Sequence, residues 1–248
     1  MDLHLQGKTA LITGASKGIG AAIAAVLAAE GCALHLAARG KEALQELAAQ
    51  LVAANGIEVT VHPVDLRSSE DIARLAAEVP DIDVLINNAG DIPAGSLATL
   101  DERTWREGWD LKVFGYINLT RVVYARMAVR GHGVIINNIG AAGERPDGDY
   151  LAGSVGNAGL MAFTRALGAK SLRDGIRVVG VNPGPVETER IRKLIDTSDR
   201  FRRMAAQFPL GRPAQSREIA DTIAFLASDR SAYTSGTIVT IDGGLSVS

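Results

Sequence analysis

The chain of 248 residues is 47% hydrophobic and only 4% aromatic, so it is long enough to bury a large aliphatic core. Its net charge of −2 at pH 7 gives no electrostatic reason to bind nucleic acid or an anionic membrane surface. The single cysteine, Cys32, excludes an internal disulfide, and the 4 histidines show no metal-ligand spacing. Because the first residues lack a basic leader and no window resembles a membrane span, we expect a cytoplasmic protein. The scattered histidines lead us to expect no metal site.

Residues 10–29 form an apolar run that breaks into glycines and restarts as an alanine-rich segment. This pattern predicts a strand, a tight loop and a helix. Gly14, Gly18 and Gly20 let the backbone turn sharply and approach a ligand without a Cβ in the way. The helix that follows points unpaired N–H groups at the same place, which favours a pyrophosphate. We therefore predict a nucleotide-phosphate site; the alternative is a purely structural glycine turn.

A second strand is predicted at residues 33–37, and Arg39 follows it in place of an acidic residue. Dinucleotide-binding folds place a carboxylate about 20 residues beyond the glycines, where it holds the ribose 2′-hydroxyl. A guanidinium suits a 2′-phosphate instead, and Lys17 adds a second positive charge to the glycine loop. The sequence thus favours NADP(H) over NAD(H). The alternative is that Arg39 and Lys17 are ordinary solvated charges.

A helix over residues 41–54 and a third strand at residues 58–62 lead to Asp65. The Asp65 carboxylate either accepts a hydrogen bond from an adenine amino group or caps the next helix. A fourth apolar strand then runs into Asn88 and Gly90. Polar residues at the carboxyl end of a strand lie at the edge where open α/β sheets bind ligands, so these two residues are candidates for the same site.

The segments Thr13-Gly-Ala-Ser-Lys-Gly-Ile-Gly20 and Asn87-Asn-Ala-Gly90 together resemble the short-chain dehydrogenase/reductase family. Residues 182–188 resemble the nicotinamide-side loop of that family, and residues 233–244 resemble its last strand. The resemblance covers essentially the whole chain. It implies one dinucleotide-binding domain, residues 1–248, acting on a small-molecule substrate.

The resemblance also implies the fold, a doubly wound Rossmann-type α/β domain with a seven-stranded parallel sheet and helices on both faces. The alternation of short β-rich segments with helical segments agrees with this independently. A homodimer or homotetramer built on the long fourth and fifth helices is implied, as is a substrate lid at residues 187–213. Carried onto this chain, the implied cofactor-binding residues are Gly14, Ser16, Lys17, Gly18, Ile19, Gly20, Arg39, Asp65, Leu66, Asn88, Ala89, Gly90, Pro183, Gly184, Val186 and Thr188.

The catalytic positions of the family are all substituted. Relatives carry a tyrosine and a lysine four residues apart on one helical face, a serine upstream, and an asparagine on the preceding helix. Alignment on the flanking motifs places Gly140 at the serine position, Gly153 at the tyrosine, Asn157 at the lysine and Lys112 at the asparagine. Glycine can neither donate a proton nor hold an oxyanion with a side chain, so the usual mechanism cannot be carried over.

Two features indicate a rearranged site. Tyr150 lies seven residues before Asn157, an offset that enoyl-reductase relatives use between tyrosine and lysine, and a helix reaching back to residue 150 would put both on one face. The chain also exchanges residues between helices, with Lys112 in place of asparagine and Asn157 in place of lysine. If these side chains converge as in relatives, an ammonium favours the ionised form of a nearby phenol. We therefore expect Tyr150, Lys112 and Asn157 to be catalytic.

Simpler interpretations remain open. Tyr150 ends a polar Pro/Gly loop, where an amphipathic tyrosine often only packs. Ser154 and Asn138 are further polar candidates, and Asn138 is expected to pair with the backbone.

Three hypotheses follow for function. The first is an NADP(H)-dependent oxidoreductase that acts on a carbonyl or an activated C=C bond with an altered proton donor. The second is a non-catalytic NADP(H)-binding sensor or partner subunit, because fold alone does not guarantee activity. The third, a domain that binds another ligand and no nucleotide, is disfavoured by the complete phosphate loop.

Overall fold

The computed structural model of the chain describes residues 1–79, 81–188, 191, 202, 205–206 and 208–247. Seven strands form a single sheet in this part of the chain: β1 (Thr9–Thr13), β2 (Ala33–Ala38), β3 (Val59–Pro63), β4 (Val84–Asn87), β5 (Gly133–Asn138), β6 (Ile176–Pro183) and β7 (Ile238–Ile241). All pairings are parallel, in the order β3-β2-β1-β4-β5-β6-β7. The strand order reverses between β1 and β4, which opens a crevice at their carboxyl ends. The predicted seven-stranded, doubly wound fold is confirmed.

The connecting segments are helical: α1 (Gly18–Ala29), α2 (Lys41–Asn55), α3 (Ser69–Glu78), α4 (Glu102–Trp109), α5 (Gly115–Arg130), α6 (Leu151–Ser171) and α7 (Ser216–Ala227). A π-helical turn, Asp110–Phe114, joins α4 to α5 without a break. Helix ends follow local chemistry. The side chains of Ser68 and Asp101 cap the starts of α3 and α4, and Gly131 ends α5 with a φ of 75°.

The core lies on both faces of the sheet, because successive strand residues point to opposite sides. Ile12 and Ile86 belong to the cluster that packs against α1 and α7. Leu11 and Leu85 belong to the opposite cluster, against α3 and α5. A smaller cluster around Tyr116 joins α5 to α6 near the end of β5. The result is a rigid three-layer support whose carboxyl edge carries the candidate residues.

Most of the predicted lid lies outside the described residues, which omit 189–190, 192–201, 203–204 and 207. At the borders of that stretch, Val186 forms an isolated bridge with Ala214, and Phe208 is buried. No helix in the described ranges combines the length and the apolar character needed to cross a bilayer.

Candidate active site

The glycine loop forms a cradle that only glycine can line. Gly14 and Gly18 have φ values of 63° and 57°, in the left-handed region that side chains rarely adopt. A Cβ added at Gly20 would lie 2.2 Å from the carbonyl oxygen of Gly14. Helix α1 starts after Lys17 with no side-chain cap and no acidic residue in its first turn. Its first N–H groups and dipole therefore suit an anion, and the loop fits a pyrophosphate.

The Asn88 side chain holds the glycine loop in place through hydrogen bonds. Its Nδ2 donates to the carbonyl oxygens of Thr13 (2.9 Å) and Gly14 (3.3 Å), and its Oδ1 accepts from Asn138 Nδ2 at 2.8 Å. The Thr13 hydroxyl oxygen accepts from the backbone N–H groups of Asn88 and Ala89. The expectation that Asn138 pairs with the backbone is wrong, because its amide nitrogen binds another side chain.

The loop after β6 lies against the glycine loop. A Cβ at Gly18 would be 3.4 Å from Thr188 Cγ2. Pro183 ends β6, and the N–H of Gly184 donates to the carbonyl oxygen of Ile241 at 2.9 Å. Ser16 and Lys17 lie in the glycine loop, Ile19 and Gly20 in the first turn of α1, and Val186 is buried. We call the glycine loop, Asn88 and Thr188 the nucleotide half of the site.

The outer end of this half carries Arg39, exposed just beyond β2, and Asp65, just beyond β3. The Asp65 carboxylate pairs with Arg67, and hydrogen bonds from Arg67 hold the pKa of Asp65 below its ordinary value. Ser68, not Asp65, is the N-cap of α3, so the capping alternative for Asp65 is wrong. The Leu66 side chain is buried in the core.

Lys112 reaches the end of β5 from the π-helical turn. The residue is 9% exposed, and its ammonium donates to the carbonyl oxygen of Ile139. A Cβ at Gly90 would lie 2.9 Å from Lys112 Cδ, so the lysine stem passes directly over this glycine. A π-helical turn at this position is a departure from regular helix of the kind found at functional sites.

Asn157, in α6, lies beside Gly140, the residue that follows Ile139. It is 2% exposed, and its Nδ2 lies 3.0 Å from where a Cβ of Gly140 would be. No described residue donates to Asn157 Oδ1. Lys112 and Asn157 therefore come from two helices to consecutive residues, Ile139 and Gly140.

Helix α6 begins at Leu151 with Tyr150 as its N-cap residue, so the helix does not reach back to include residue 150. The Tyr150 ring nevertheless folds back over the helix: a Cβ at Gly153 would lie 2.1 Å from ring carbons Cε1 and Cζ. The backbone is fixed by Gly95, whose N–H donates to Asp149 and whose carbonyl accepts from Leu151. The ring thus occupies the space in which a side chain at position 153 would begin. We call Lys112, Gly140, Tyr150, Gly153 and Asn157 the reaction half.

Comparison with known proteins matches the chain to one family. A family model described as enoyl-(acyl carrier protein) reductase matches residues 14–246. The 3-oxoacyl-[acyl-carrier-protein] reductase FabG of Escherichia coli (strain K12) is 34% identical over 244 residues, 98% of this chain and 99% of its own. The chain belongs to the short-chain dehydrogenase/reductase family.

Solved structures of the family agree over the whole chain. L-Sorbose reductase from Gluconobacter frateurii, complexed with NADPH and L-sorbose, has a TM-score of 0.93 at 31% identity, covering 100% of both chains. A 7α-hydroxysteroid dehydrogenase complexed with NADH has a TM-score of 0.92 at 27% identity, covering 98% of this chain and 96% of the other.

Sequence reasoning missed Tyr116, which this short-chain dehydrogenase/reductase buries completely beneath the reaction half. Its hydroxyl donates to the carbonyl oxygen of Asn138 at 2.8 Å. Burial, and to a smaller extent the nearby Tyr150, raises the pKa of Tyr116 far above its ordinary value. No local sequence signal marks this tyrosine, because its burial comes from packing between α5 and α6.

Ser154 has a structural contact. Its hydroxyl accepts from the N–H of Asp147 at 2.9 Å and lies 3.3 Å from the Asp147 carbonyl oxygen. It therefore anchors the loop that delivers Tyr150.

Proposed function

We propose that this chain is an NADP(H)-dependent oxidoreductase that reduces a carbonyl, or an activated C=C bond, of a small organic molecule, with Tyr150 as the proton donor. The observation that carries the proposal is the Tyr150 ring folded over Gly153, where relatives of the family place their tyrosine. The phenol of Tyr150 then lies where relatives have the phenol of a tyrosine at the position of Gly153.

The nucleotide half supports the cofactor assignment. Its glycine cradle and the uncapped start of α1 suit a pyrophosphate, and Arg39 and Lys17 supply positive charge for a 2′-phosphate. The sorbose reductase was solved with NADPH, which favours the same nucleotide here, whereas the hydroxysteroid dehydrogenase was solved with NADH. The arginine beyond β2 decides our choice of NADP(H).

When bound, the reduced nucleotide supplies hydride to the substrate. The Tyr150 O–H gives its proton to the substrate oxygen as that oxygen gains charge, and the phenolate then recovers a proton from solvent. The Lys112 ammonium stabilises negative charge on the phenol oxygen through space. The Asn157 amide faces Gly140, where relatives carry a serine, so its N–H groups take over the task of holding the substrate oxygen.

We further propose a cytoplasmic homodimer or homotetramer that associates through α5 and α6 and closes a lid at residues 187–213. Exposed apolar side chains support this assembly: Phe114, directly before α5, is 48% exposed, and Val155 in α6 is 47% exposed. Sedimentation of the purified protein tests it, with a monomer as the contradicting result.

The experiment for the function is steady-state oxidation of NADPH by the purified protein. Acetoacetyl-CoA and L-sorbose serve as probes, a β-keto thioester and a polyhydroxy ketone. We expect at least one to drive NADPH consumption that Gly14→Val abolishes. Tight NADPH binding without consumption for any ketone, enone or sugar probe would favour the non-catalytic nucleotide-binding protein instead.

A further inference from the structure

The Asp65 carboxylate is fully engaged by one neighbour. Asp65 Oδ1 accepts from the backbone N–H of Arg67 at 3.1 Å and from Arg67 Nε at 3.0 Å. Asp65 Oδ2 accepts from Arg67 Nε at 3.0 Å and from Nη2 at 2.5 Å. Two-pronged pairing of this kind is the strongest arrangement between a guanidinium and a carboxylate.

A second guanidinium lies within electrostatic reach of the same carboxylate. Ala38 pairs with Pro63 across β2 and β3, so Arg39 and Asp65 leave the sheet at the same edge. The charge of Arg39 also lowers the pKa of Asp65, as the weakest of several causes headed by Arg67. Yet no residue in the described part of the chain forms a hydrogen bond or ion pair with Arg39. Arg67 pairs with the Asp65 carboxylate, and the Arg39 side chain is exposed.

This arrangement matters for a nucleotide that carries a 2′-phosphate. A bare carboxylate beside that phosphate would repel it and compete for the nearest guanidinium. Paired with the Arg67 guanidinium, the Asp65 carboxylate repels the phosphate less and competes less for Arg39.

We propose that Arg67 is a selectivity residue: by occupying Asp65, it keeps Arg39 available to the 2′-phosphate and so sets the preference for NADPH over NADH. The inference rests on the proposed nucleotide-binding function, and it assigns Arg67 a positioning role that acts through Asp65. Without Arg67, Asp65 pairs with Arg39 and the phosphate loses its partner.

The test is the ratio of dissociation constants for NADH and NADPH, measured by the fluorescence of the reduced nicotinamide at about 0.15 M salt, where distant charges are screened. Arg67→Ala should reduce the preference for NADPH about three- to fivefold, the weight of one exposed charge pair. The double variant Asp65→Asn with Arg67→Ala should return the ratio to within about twofold of the wild type, because no carboxylate remains to capture Arg39.

The matched control is Arg103→Ala, which removes an arginine that is 82% exposed and pairs only loosely with Glu107. We expect no change in its ratio. The inference is overturned if Arg67→Ala leaves the ratio unchanged, if the double variant stays as low as the single one, or if the wild type prefers NADH. A wild type that binds neither nucleotide would instead contradict the proposed function. Thermal melting of each variant verifies that it is folded.

Discussion

The two halves of the site sit on one sheet edge but are built differently. The nucleotide half uses backbone groups, held by glycines whose conformation or surroundings exclude a side chain. The reaction half uses side chains that each fill the space beside a glycine: Lys112 by Gly90, Asn157 by Gly140 and Tyr150 by Gly153. A backbone cradle requires glycines at fixed positions. A side-chain site requires only that the functional atom arrives in the right place, so it can be supplied from another position of the chain.

The largest effect should come from filling the cradle. Gly14→Val forces a side chain onto a φ of 63° and puts its Cβ 2.8 Å from Ala89 Cα. We expect NADPH affinity to fall at least about 100-fold, because the pyrophosphate loses its backbone donors. Equilibrium binding measures this. Gly56→Ala is the control, since Gly56 has a φ of 67° and no atom near its Cβ position; equal losses in both variants would contradict the cradle.

A substitution in the reaction half should lower turnover rather than NADPH affinity. Gly153→Ala places a Cβ 2.1 Å from the Tyr150 ring, which must move away. We expect turnover to fall about 10- to 100-fold with NADPH affinity unchanged, since the proposed proton donor leaves the site. Gly159→Ala, on the same helix with open space at its Cβ, should keep turnover. If Gly153→Ala is as active as Gly159→Ala, the ring position is irrelevant to the chemistry.

A change remote from both halves should alter stability alone. Arg177 is 7% exposed, and its guanidinium donates to the carbonyl oxygens of Leu226 and Ser228 at the end of α7 and to Ser231 Oγ. Arg177→Met removes these buried hydrogen bonds from a charged donor, while the Ser231 hydroxyl still donates to the carbonyl oxygens of Leu226 and Ser228. We expect a loss of about 2–3 kcal/mol in unfolding free energy. Denaturant melts measure it, with exposed Arg173→Met as control. Unchanged stability would show that these bonds contribute nothing net.

The smallest effect concerns pH. Burial, and secondarily His62, lowers the pKa of His35, whose Nδ1 lies 2.9 Å from His62 Nε2. As the pH falls below about 6.5, His35 takes up a proton more readily in the unfolded chain than in the folded one. The contribution of neutral His35 to the free energy of unfolding is therefore fully present above that pH and is lost as the pH falls. His35→Gln should reduce the difference between urea midpoints at pH 7.5 and pH 5.5. Identical differences for both proteins would contradict the assignment.

The sequence predicts the strand, glycine loop and helix of the nucleotide half well because their signals are local. Glycine spacing, the strand before it and the helix after it all lie within residues 10–29, and the alternating βαβ units then predict parallel strands. Arg67, two residues beyond Asp65, was also within reach of the sequence, but nothing local shows that its guanidinium bonds both oxygens of the Asp65 carboxylate.

The reaction half depends on contacts that span the chain. The bridge from Gly95 to Tyr150 joins segments 55 residues apart and fixes a tyrosine that lies outside its helix. Tyr116 is buried by packing between α5 and α6, which no local pattern reveals. Position in sequence identified Tyr150, Lys112 and Asn157 as candidates; only the fold shows that two of them meet at Ile139 and Gly140.

The most direct test of the central claim is Tyr150→Phe, assayed for NADPH consumption with a ketone that the wild type reduces. This variant keeps the ring over Gly153 and removes only the hydroxyl. We predict that turnover falls by about 100- to 1,000-fold, the usual contribution of a general acid, while NADPH affinity changes less than about twofold. Full turnover by Tyr150→Phe would contradict the claim that this phenol supplies the proton.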